Sequence, residues 1–239
     1  KRLSSVETLG SASVICSDKT GTLTRNEMTV QVVETPSAEV ELTGSGYRPE
    51  GELRLDGRPL TDATVLDEVR AVVGGGSLAN DAALREEDGE WVVLGDPTEG
   101  AFLVAEAKIG ITEARRQRFE RVGEVPFSSE RKLMSTVAVD ADEAGARSVV
   151  TKGAPDVLLS RCTHERVGGE VRPLTDERRD EVLAVVDGLA DRALRTLAVA
   201  YRPLPPEGDG EGEPAEPGEH LEHDLVHLGE VGIIDPPRE

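Results

Sequence analysis

Aromatic side chains are scarce in this chain, since three Phe, two Tyr and one Trp make up 3% of its 239 residues. Cysteine is rarer still: Cys16 and Cys162 are its two thiols, and they fit no metal-ligand spacing. Two thiols suggest a reducing compartment, and we expect Cys16 to be buried in a strand. No apolar run approaches the ~20 residues of a membrane-spanning helix, and the first residues do not lead into a signal-peptide core.

Basic residues are also in short supply. The chain has 27 Lys and Arg against 47 Asp and Glu, which gives a formal net charge of −20. Nucleic acid and anionic lipid are therefore poor partners, because both would be repelled. Any anion-binding pocket must gather its basic residues locally. The apolar content of 37% and the charged content of 31% are typical of a folded globular protein, long enough for one large domain or two small ones.

The most informative stretch lies near the start of the chain. Residues 12–16 read as a short apolar strand buried on both faces, and residues 18–24 follow it with Asp-Lys-Thr-Gly-Thr-Leu-Thr. Ligands of open α/β sheets gather beyond the carboxyl ends of strands, so Asp18 is well placed to attack a phosphoryl group. An Asx-turn that closes the strand is the alternative. The seven-residue string resembles the phosphorylation motif of the P-type ATPases, cation pumps of the haloacid-dehalogenase superfamily, and favours the first interpretation.

The resemblance implies a catalytic role for this motif. Asp18 would be the phosphorylated nucleophile, with Lys19 and Thr20 beside it, and Mg²⁺ would be held by the Asp18 carboxylate and the Thr20 main-chain carbonyl. Phosphatases of the superfamily carry a second Asp, a general acid and base, where this chain has Thr20. Without that base an acyl phosphate should persist, as a pump requires. A soluble haloacid-dehalogenase-like phosphatase with a large cap domain and a regulatory nucleotide sensor remain the alternatives.

Four separated motifs in the middle of the chain resemble those of calcium-pump-like members of the family. They lie at residues 95–99, 126–135, 152–164 and 194–200. The resemblance implies that they bind the cofactor ATP, or ADP, and that the γ-phosphate is presented to Asp18.

The first two motifs supply an acidic residue and an aromatic platform. Glu99 would approach the adenine amino group, although its position near a helix start is also that of a capping-box residue. Phe127 follows a predicted strand among polar residues and is well suited to stacking on a base, which contributes ~1–3 kcal/mol. Edge packing is the alternative for Phe127. Lys132 and Met134 are two residues apart in a predicted strand, so we expect both to face the pocket.

The last two motifs supply small residues and positive charge. Gly153 and Ala154 remove side-chain bulk, so a flat purine could lie against the backbone beside Lys152. Arg195 resembles the family's arginine near the triphosphate, where its fork of donors suits phosphate, and Leu197 resembles the apolar wall. An ordinary helix-end arginine is the alternative.

Hydrophobic periodicity predicts the remaining elements. Strands are predicted at residues 28–34, 91–94, 121–127, 132–140, 147–152, 196–201 and 225–234, with a hairpin at 52–57. Helices are predicted from Thr61 to Val73, at 97–109, 112–120 and 155–161, and from Thr175 onward. Gly74, Gly75 and Gly76 should weaken the first helix, and a second helical piece is predicted at 77–84. Residues 203–224 read as an acidic, mobile loop, in which His220 and His223, together with His227, leave a metal cluster open as an alternative.

The resemblance covers essentially the whole chain and implies its fold. It is an α/β fold of α+β character, with an antiparallel sheet and flanking helices inserted into the edge of a haloacid-dehalogenase-like phosphorylation domain. Residues 1–27 would belong to the phosphorylation domain, residues 28–227 would bind nucleotide, and residues 228–239 would return through a hinge at Asp235 and Arg238.

The resemblance also implies where the protein works and with what. We expect a soluble fragment of an integral membrane protein on the cytoplasmic side of the cell membrane. Its partners would be ATP or ADP and the actuator, transmembrane and remaining phosphorylation domains of the same pump. By itself, this fragment should bind nucleotide weakly and not turn it over.

Overall fold

The computed structural model describes residues 14, 22, 24, 27–205 and 217–236. Within these residues it contains thirteen β-strands and five α-helices. The strands are β1 (Thr29–Glu34), β2 (Glu39–Leu42), β3 (Leu53–Leu55), β4 (Arg58–Pro59), β5 (Ala83–Glu87), β6 (Glu90–Leu94), β7 (Phe119–Val125), β8 (Leu133–Asp140), β9 (Ala146–Gly153), β10 (Cys162–Val167), β11 (Glu170–Pro173), β12 (Arg195–Pro203) and β13 (Leu225–Ile234). The helices are α1 (Ala63–Leu78), α2 (Pro97–Lys108), α3 (Thr112–Arg118), α4 (Pro155–Arg161) and α5 (Asp176–Asp191).

Eleven of these strands form one sheet. Its main path runs in the order β4-β3-β2-β1-β13-β12-β9-β8-β7, and β10 and β11 branch from β13. Every pairing is antiparallel except that of β10 with β13. The remaining strands, β5 and β6, form a separate hairpin. The predicted antiparallel sheet with flanking helices is therefore confirmed.

The sheet is buried on both faces because its central strands carry continuous runs of buried residues, as in β8, β12 and β13. In β12, Val199 packs with the core residues of α1 and α2, whereas Ala198 and Ala200 pack on the opposite side with those of α4 and α5. Alternating side chains point to opposite faces of a strand, so each helix pair covers one face. The result is a three-layer arrangement of helices, sheet and helices.

The prediction of a second helical piece at 77–84, separated from the first helix by the glycines, is wrong. Helix α1 passes through Gly75 and Gly76 without interruption, and residues 83–87 form β5 rather than helix. A Cβ atom on Gly76 would lie 2.1 Å from the Phe102 ring of α2, and one on Gly75 would lie 2.9 Å from Val199. The glycines are required for the close packing of α1, which outweighs their low helix propensity. The helix cap is Asp62 rather than Thr61.

The acidic segment at 203–224 is only partly a loop. Strand β12 extends to Pro203, a short 3₁₀ turn spans Glu219–Leu221, and both Leu221 and Glu222 are buried. Residues 206–216, where mobility is also predicted, lie outside the described residues. The apolar side chain of Leu221 joins the core between the sheet and helices α4 and α5, which explains why the end of the segment is packed.

The ends of the chain approach each other where they are described. The Thr24 hydroxyl donates to the Asp235 carboxylate at 2.6 Å, although the two residues are 211 positions apart. Of the strand predicted at 12–16, Val14 alone is described; it is exposed and lies outside any strand.

The division of the chain into domains stays a prediction. Strand β12 pairs with residues of β13 on both sides of the predicted boundary between residues 227 and 228, and β1 pairs with residues of β13 after it. Almost all of residues 1–27 lie outside the described part. Among the helices of the described residues, none combines the length and apolar composition needed to cross a lipid bilayer.

Candidate functional site

The candidate site is built around the first turn of α2. Asp96 caps this helix, since its carboxylate accepts hydrogen bonds from the main-chain N–H of Thr98 at 2.7 Å and of Glu99 at 3.2 Å. Pro97 occupies the first turn, where its missing N–H costs no hydrogen bond. The cap fixes where the helix begins and so fixes the positions of the Thr98 and Glu99 side chains.

Glu99 forms a largely buried ion pair with Lys152 of β9. The Glu99 Oε1 to Lys152 Nζ distance is 2.8 Å, and Glu99 Oε2 accepts from the main-chain N–H of Asp81 at 3.1 Å. Both carboxylate oxygens of Glu99 thus have partners beyond its own helix, unlike those of a capping-box residue. Lys152 is 5% exposed, and its ammonium lies 5.5 Å from the centre of the Phe102 ring. Burial lowers the pKa of Lys152, and the neighbouring Glu99 opposes that shift.

Arg195 reaches the same helix start from β12. Its Nη1 atom donates to the Thr98 hydroxyl at 2.9 Å, and the residue is exposed. Leu197 follows two residues later, so it lies on the same face of the sheet, half-buried against the α1–α2 core. Val199, two residues further, pairs directly with Lys152 in the neighbouring strand. Glu99, Lys152, Arg195 and Leu197, predicted from three separate motifs, therefore share one face around the start of α2.

The second motif lies in the turn between β7 and β8. Phe127 is 60% exposed, so the alternative of edge packing is not what the structure shows. Lys132 is exposed and has a φ of 57°, which places it before β8 rather than in it. The period-two argument that groups Lys132 with Met134 therefore fails at Lys132. Met134 is buried and pairs directly with Lys152 across β8 and β9.

The small residues of the third motif serve packing within the fold. A Cβ atom on Gly153 would lie 2.2 Å from the Lys132 carbonyl oxygen, so the Phe127 turn already fills the space beside Gly153. The same carbonyl accepts from the main-chain N–H of Ala154 at 3.1 Å. Gly153 and Ala154 thus hold this turn against β9, which gives a structural reason for both residues besides room for a purine.

Some predicted residues lie outside the described part of the chain: Asp18, Lys19, Thr20 and Arg238. Asp235 is described and accepts from Thr24, the last residue of the seven-residue motif. Cys162 is buried at the start of β10, and burial raises the pKa of its thiol to about 12.

The three histidines do not form a metal site. His227 pairs with the buried Glu230 at 2.7 Å, and His223 pairs with Asp224 at 2.8 Å. Within the described residues, no group of three His, Cys, Asp or Glu side chains is arranged to hold a metal ion. The alternative of a metal cluster is therefore not supported.

Two residues that support the site, Thr98 and Arg121, were not predicted from the sequence. Thr98 stands between Pro97 and Glu99 in the first motif, and its contact with Arg195 could have been anticipated from that position. Arg121 donates to the main-chain oxygen of Asn80 at 2.9 Å and to Asp81 at 2.7 Å, and so supports the segment that contacts Glu99. No local pattern distinguishes Arg121 from the other arginines of its neighbourhood.

Chemically, this arrangement suits an anion. A helix N-terminus carries a partial positive charge. The N–H groups of Thr98, Glu99 and Gly100 are already paired with Asp96, so the donors available to an anion are those of the exposed Arg195, with the Glu99-paired Lys152 beside it. The net charge of the chain is −20, so two basic groups on one face represent local enrichment. The half-buried Leu197 supplies apolar surface beside Arg195, and the exposed Phe127 lies in the turn that packs against Gly153.

Comparison with known proteins shows the family of this chain. Residues 68–239 match the family model described as P-type ATPase, cytoplasmic domain N. The whole chain is 41% identical to a calcium-transporting ATPase of Bacillus subtilis, of which it covers 26%. It is 40% identical to a probable cation-transporting ATPase F of Mycobacterium tuberculosis, covering 25%, and 37% identical to the calcium-transporting ATPase type 2C member 1 of Bos taurus, covering 23%.

The chain spans about a quarter of the length of these relatives. The family match includes α2, β9 and β12, the three elements that carry the candidate site. This chain therefore belongs to the P-type ATPase cytoplasmic N-domain family.

Proposed function

We propose that this chain is the ATP-binding portion of a P-type cation-transporting ATPase. It binds ATP around the start of α2 and presents the γ-phosphate to Asp18, which becomes an aspartyl-phosphate that drives transport. The observation that supports this proposal is the meeting of Lys152 and Arg195 at the capped N-terminus of α2. In the proposed pocket Glu99 approaches the adenine amino group and Phe127 stacks on the base, while Met134 and Leu197 provide apolar wall.

Mg²⁺ belongs to the same proposal. Its proposed ligands are the Asp18 carboxylate and the Thr20 main-chain carbonyl, with Lys19 beside them. When bound, the ion would neutralise phosphate charge during transfer. The hinge at Asp235 and Arg238 would connect the nucleotide-binding part to the phosphorylation domain, and the Thr24–Asp235 hydrogen bond supports the proximity of the two ends. The relatives from Bacillus subtilis and Bos taurus are named for calcium, so calcium is the first cation to test in the full-length protein.

Calorimetric titration with ATP and with adenosine tests the nucleotide site. Arg195→Gln should weaken ATP binding by at least about tenfold, because a hydrogen bond to a charged group contributes about 1.5–3 kcal/mol. It should leave adenosine binding unchanged, since adenosine carries no phosphate. Phe127→Ala should weaken both ligands.

The matched control is Arg192→Gln, which removes an exposed arginine that lies three residues before Arg195 and pairs with Glu39. Its affinities should equal those of the wild type. Equal ATP affinity in Arg195→Gln and wild type would overturn the phosphate-binding role of Arg195. Binding of ATP that none of these variants changes would exclude the proposed site.

A further inference from the structure

One guanidinium joins the two ends of the turn that carries Phe127. The Nη2 atom of Arg131 donates to the main-chain oxygen of Pro126 at 2.6 Å and to that of Leu133 at 2.9 Å. Pro126 immediately precedes Phe127, and Leu133 begins β8. The Arg131 side chain is 9% exposed although it lies in a surface turn. Arg131 therefore closes the turn from the inside.

The same guanidinium is engaged by a segment that is distant in sequence. Glu222, which lies between the 3₁₀ turn and β13, has its carboxylate oxygen Oε2 2.9 Å from Arg131 Nε. The other carboxylate oxygen, Oε1, accepts from the Ser135 hydroxyl of β8 at 2.6 Å. Glu222 is 1% exposed, and Glu219 adds a second carboxylate 3.3 Å from Arg131 Nη1. We call Arg131, Ser135 and Glu222 the turn clamp.

The turn clamp is more than an incidental contact. A buried carboxylate is costly unless it is paired with a cation. Glu222 is paired with Arg131 at ion-pair distance and its Oε1 atom accepts from Ser135, whereas Oε2 and Arg131 Nε make no hydrogen bond among the described residues. Leu221 already supplies apolar anchoring for the segment. Pro217 of the same segment packs so closely on β7 that a Cβ atom at Gly123 would lie 2.3 Å from it. The segment thus contacts both strands that flank the Phe127 turn.

The purpose of such a clamp follows from the exposure of Phe127. An aromatic ring that is 60% exposed has little packing of its own to hold it, so its position depends on the backbone of the turn. A loose turn would have to be ordered when a base binds, and this ordering would reduce affinity. A turn that is already fixed avoids that cost. The turn clamp fixes the backbone of the Phe127 turn from inside the protein, where a bound nucleotide does not compete for its hydrogen bonds.

We propose that Arg131 is a positioning residue for base binding: through Glu222 and Ser135 it fixes the turn that presents Phe127 to the adenine of ATP. This inference rests on the proposed function. It gives the packed end of the acidic segment, residues 217–222, a role in nucleotide affinity without any contact with nucleotide.

Calorimetric titration with adenosine and with ATP tests the inference. Arg131→Gln and Glu222→Gln should each weaken both ligands by the same factor, about five- to tenfold, because the stacking on Phe127 is what is lost. Combining Arg131→Gln with Phe127→Ala should weaken binding no further than Phe127→Ala alone, since both changes remove one interaction. Arg192→Gln, which removes an exposed Arg–Glu pair, is the control and should leave both affinities unchanged.

Two results would overturn the inference. Loss of ATP affinity without loss of adenosine affinity would mean that Arg131 contacts phosphate directly. A lowered thermal midpoint with unchanged affinities would mean that the clamp serves stability alone. If Arg131→Gln fails to fold, Arg131→Lys provides a milder variant, because it retains the positive charge but not the forked guanidinium. Arg131→Lys should weaken adenosine and ATP binding by less than Phe127→Ala does.

Amide hydrogen exchange separates failure of the clamp from failure of the proposed function. If the wild type binds neither ligand, the proposed function is wrong, whereas the clamp still predicts faster exchange at residues 126–132 in Arg131→Gln and Glu222→Gln than in Arg192→Gln. Equal exchange in all three variants would overturn the clamp whatever the chain binds.

Discussion

Glu99 neutralises Lys152 within the candidate site. The two charges are 2.8 Å apart and largely buried, so the carboxylate cancels most of the field that the lysine would exert on a phosphate. Arg195 is exposed and contacts a neutral hydroxyl, that of Thr98. The attraction for a triphosphate should therefore come mainly from Arg195, while Lys152 and Glu99 provide a polar surface of fixed geometry next to the base.

Glu34 provides a prediction about pH at the residue scale. This residue of β1 pairs with Glu39 of β2 and with Glu230 of β13. Burial, a hydrogen bond with Glu39 and the negative charges of Glu39 and Glu230 raise the pKa of Glu34 to about 8, against an opposing effect of Arg192. His227 faces Glu230 in this group.

The sign of the effect follows from proton binding. Between pH 4.5 and about pH 8 the folded chain keeps a proton on Glu34 that the unfolded chain has lost. The free energy of unfolding should therefore fall as pH rises through this window, by at most about 1.4 kcal/mol per pH unit from this group. Urea unfolding at several pH values will measure the slope. Glu34→Gln, which imitates the protonated form, should reduce it, and an unchanged slope in Glu34→Gln would contradict the assignment.

At the scale of elements, the same substitution should have opposite effects in two helices. Gly76→Ala in α1 would place a methyl group 2.1 Å from the Phe102 ring, and overpacking of this kind typically costs about 1–3 kcal/mol. Gly188→Ala in α5 would meet no atom within 4 Å. There the better helix propensity of alanine should stabilise the protein by up to about 1 kcal/mol.

Thermal or denaturant unfolding of the two variants measures both effects against the wild type. Because both variants replace Gly with Ala, the effect of the substitution on the free energy of the unfolded chain is nearly the same in the two variants and largely cancels when they are compared. Stabilisation by Gly76→Ala would mean that α1 and α2 can move apart at little cost, contrary to the packing described above.

The sequence was sufficient for elements whose signals are local. Strands β8 and β9 follow from alternation and the polar turn between them, and α2 follows from the cap at Asp96 and the proline after it. It was insufficient where packing against a distant element decides the outcome. The glycines of α1 look like helix breakers until the ring of Phe102 is placed against them.

The site shows the same limit. The motifs predict Phe127, Arg195, Glu99 and Lys152 as site residues, but not that Glu99 pairs with Lys152, 53 residues away. No local pattern distinguishes Glu99 from a capping residue. The docking of Glu222 was missed because the average composition of an acidic, proline-rich segment resembles a linker. One leucine and one carboxylate with partners elsewhere in the fold are enough to anchor its end.

For the molecule as a whole, the sheet explains how separated motifs form one site. The start of β12 and the end of β9 lie on neighbouring antiparallel strands, and α2 packs across the face on which Lys152 and Arg195 project. A surface with a net charge of −20 repels a nucleotide in general, so binding should depend strongly on Arg195, whose charge no described carboxylate of the site cancels. Base stacking on the exposed Phe127 is expected to supply the remaining affinity.

Titration of isotopically labelled chain with ATP, followed residue by residue by NMR, tests this account most directly. It predicts saturable chemical-shift changes that concentrate at Phe127, Lys132, Lys152 and Arg195, with adenosine reproducing the change at Phe127 but not that at Arg195. Saturable shifts confined to another part of the sheet, or no shifts at millimolar ATP, would contradict it.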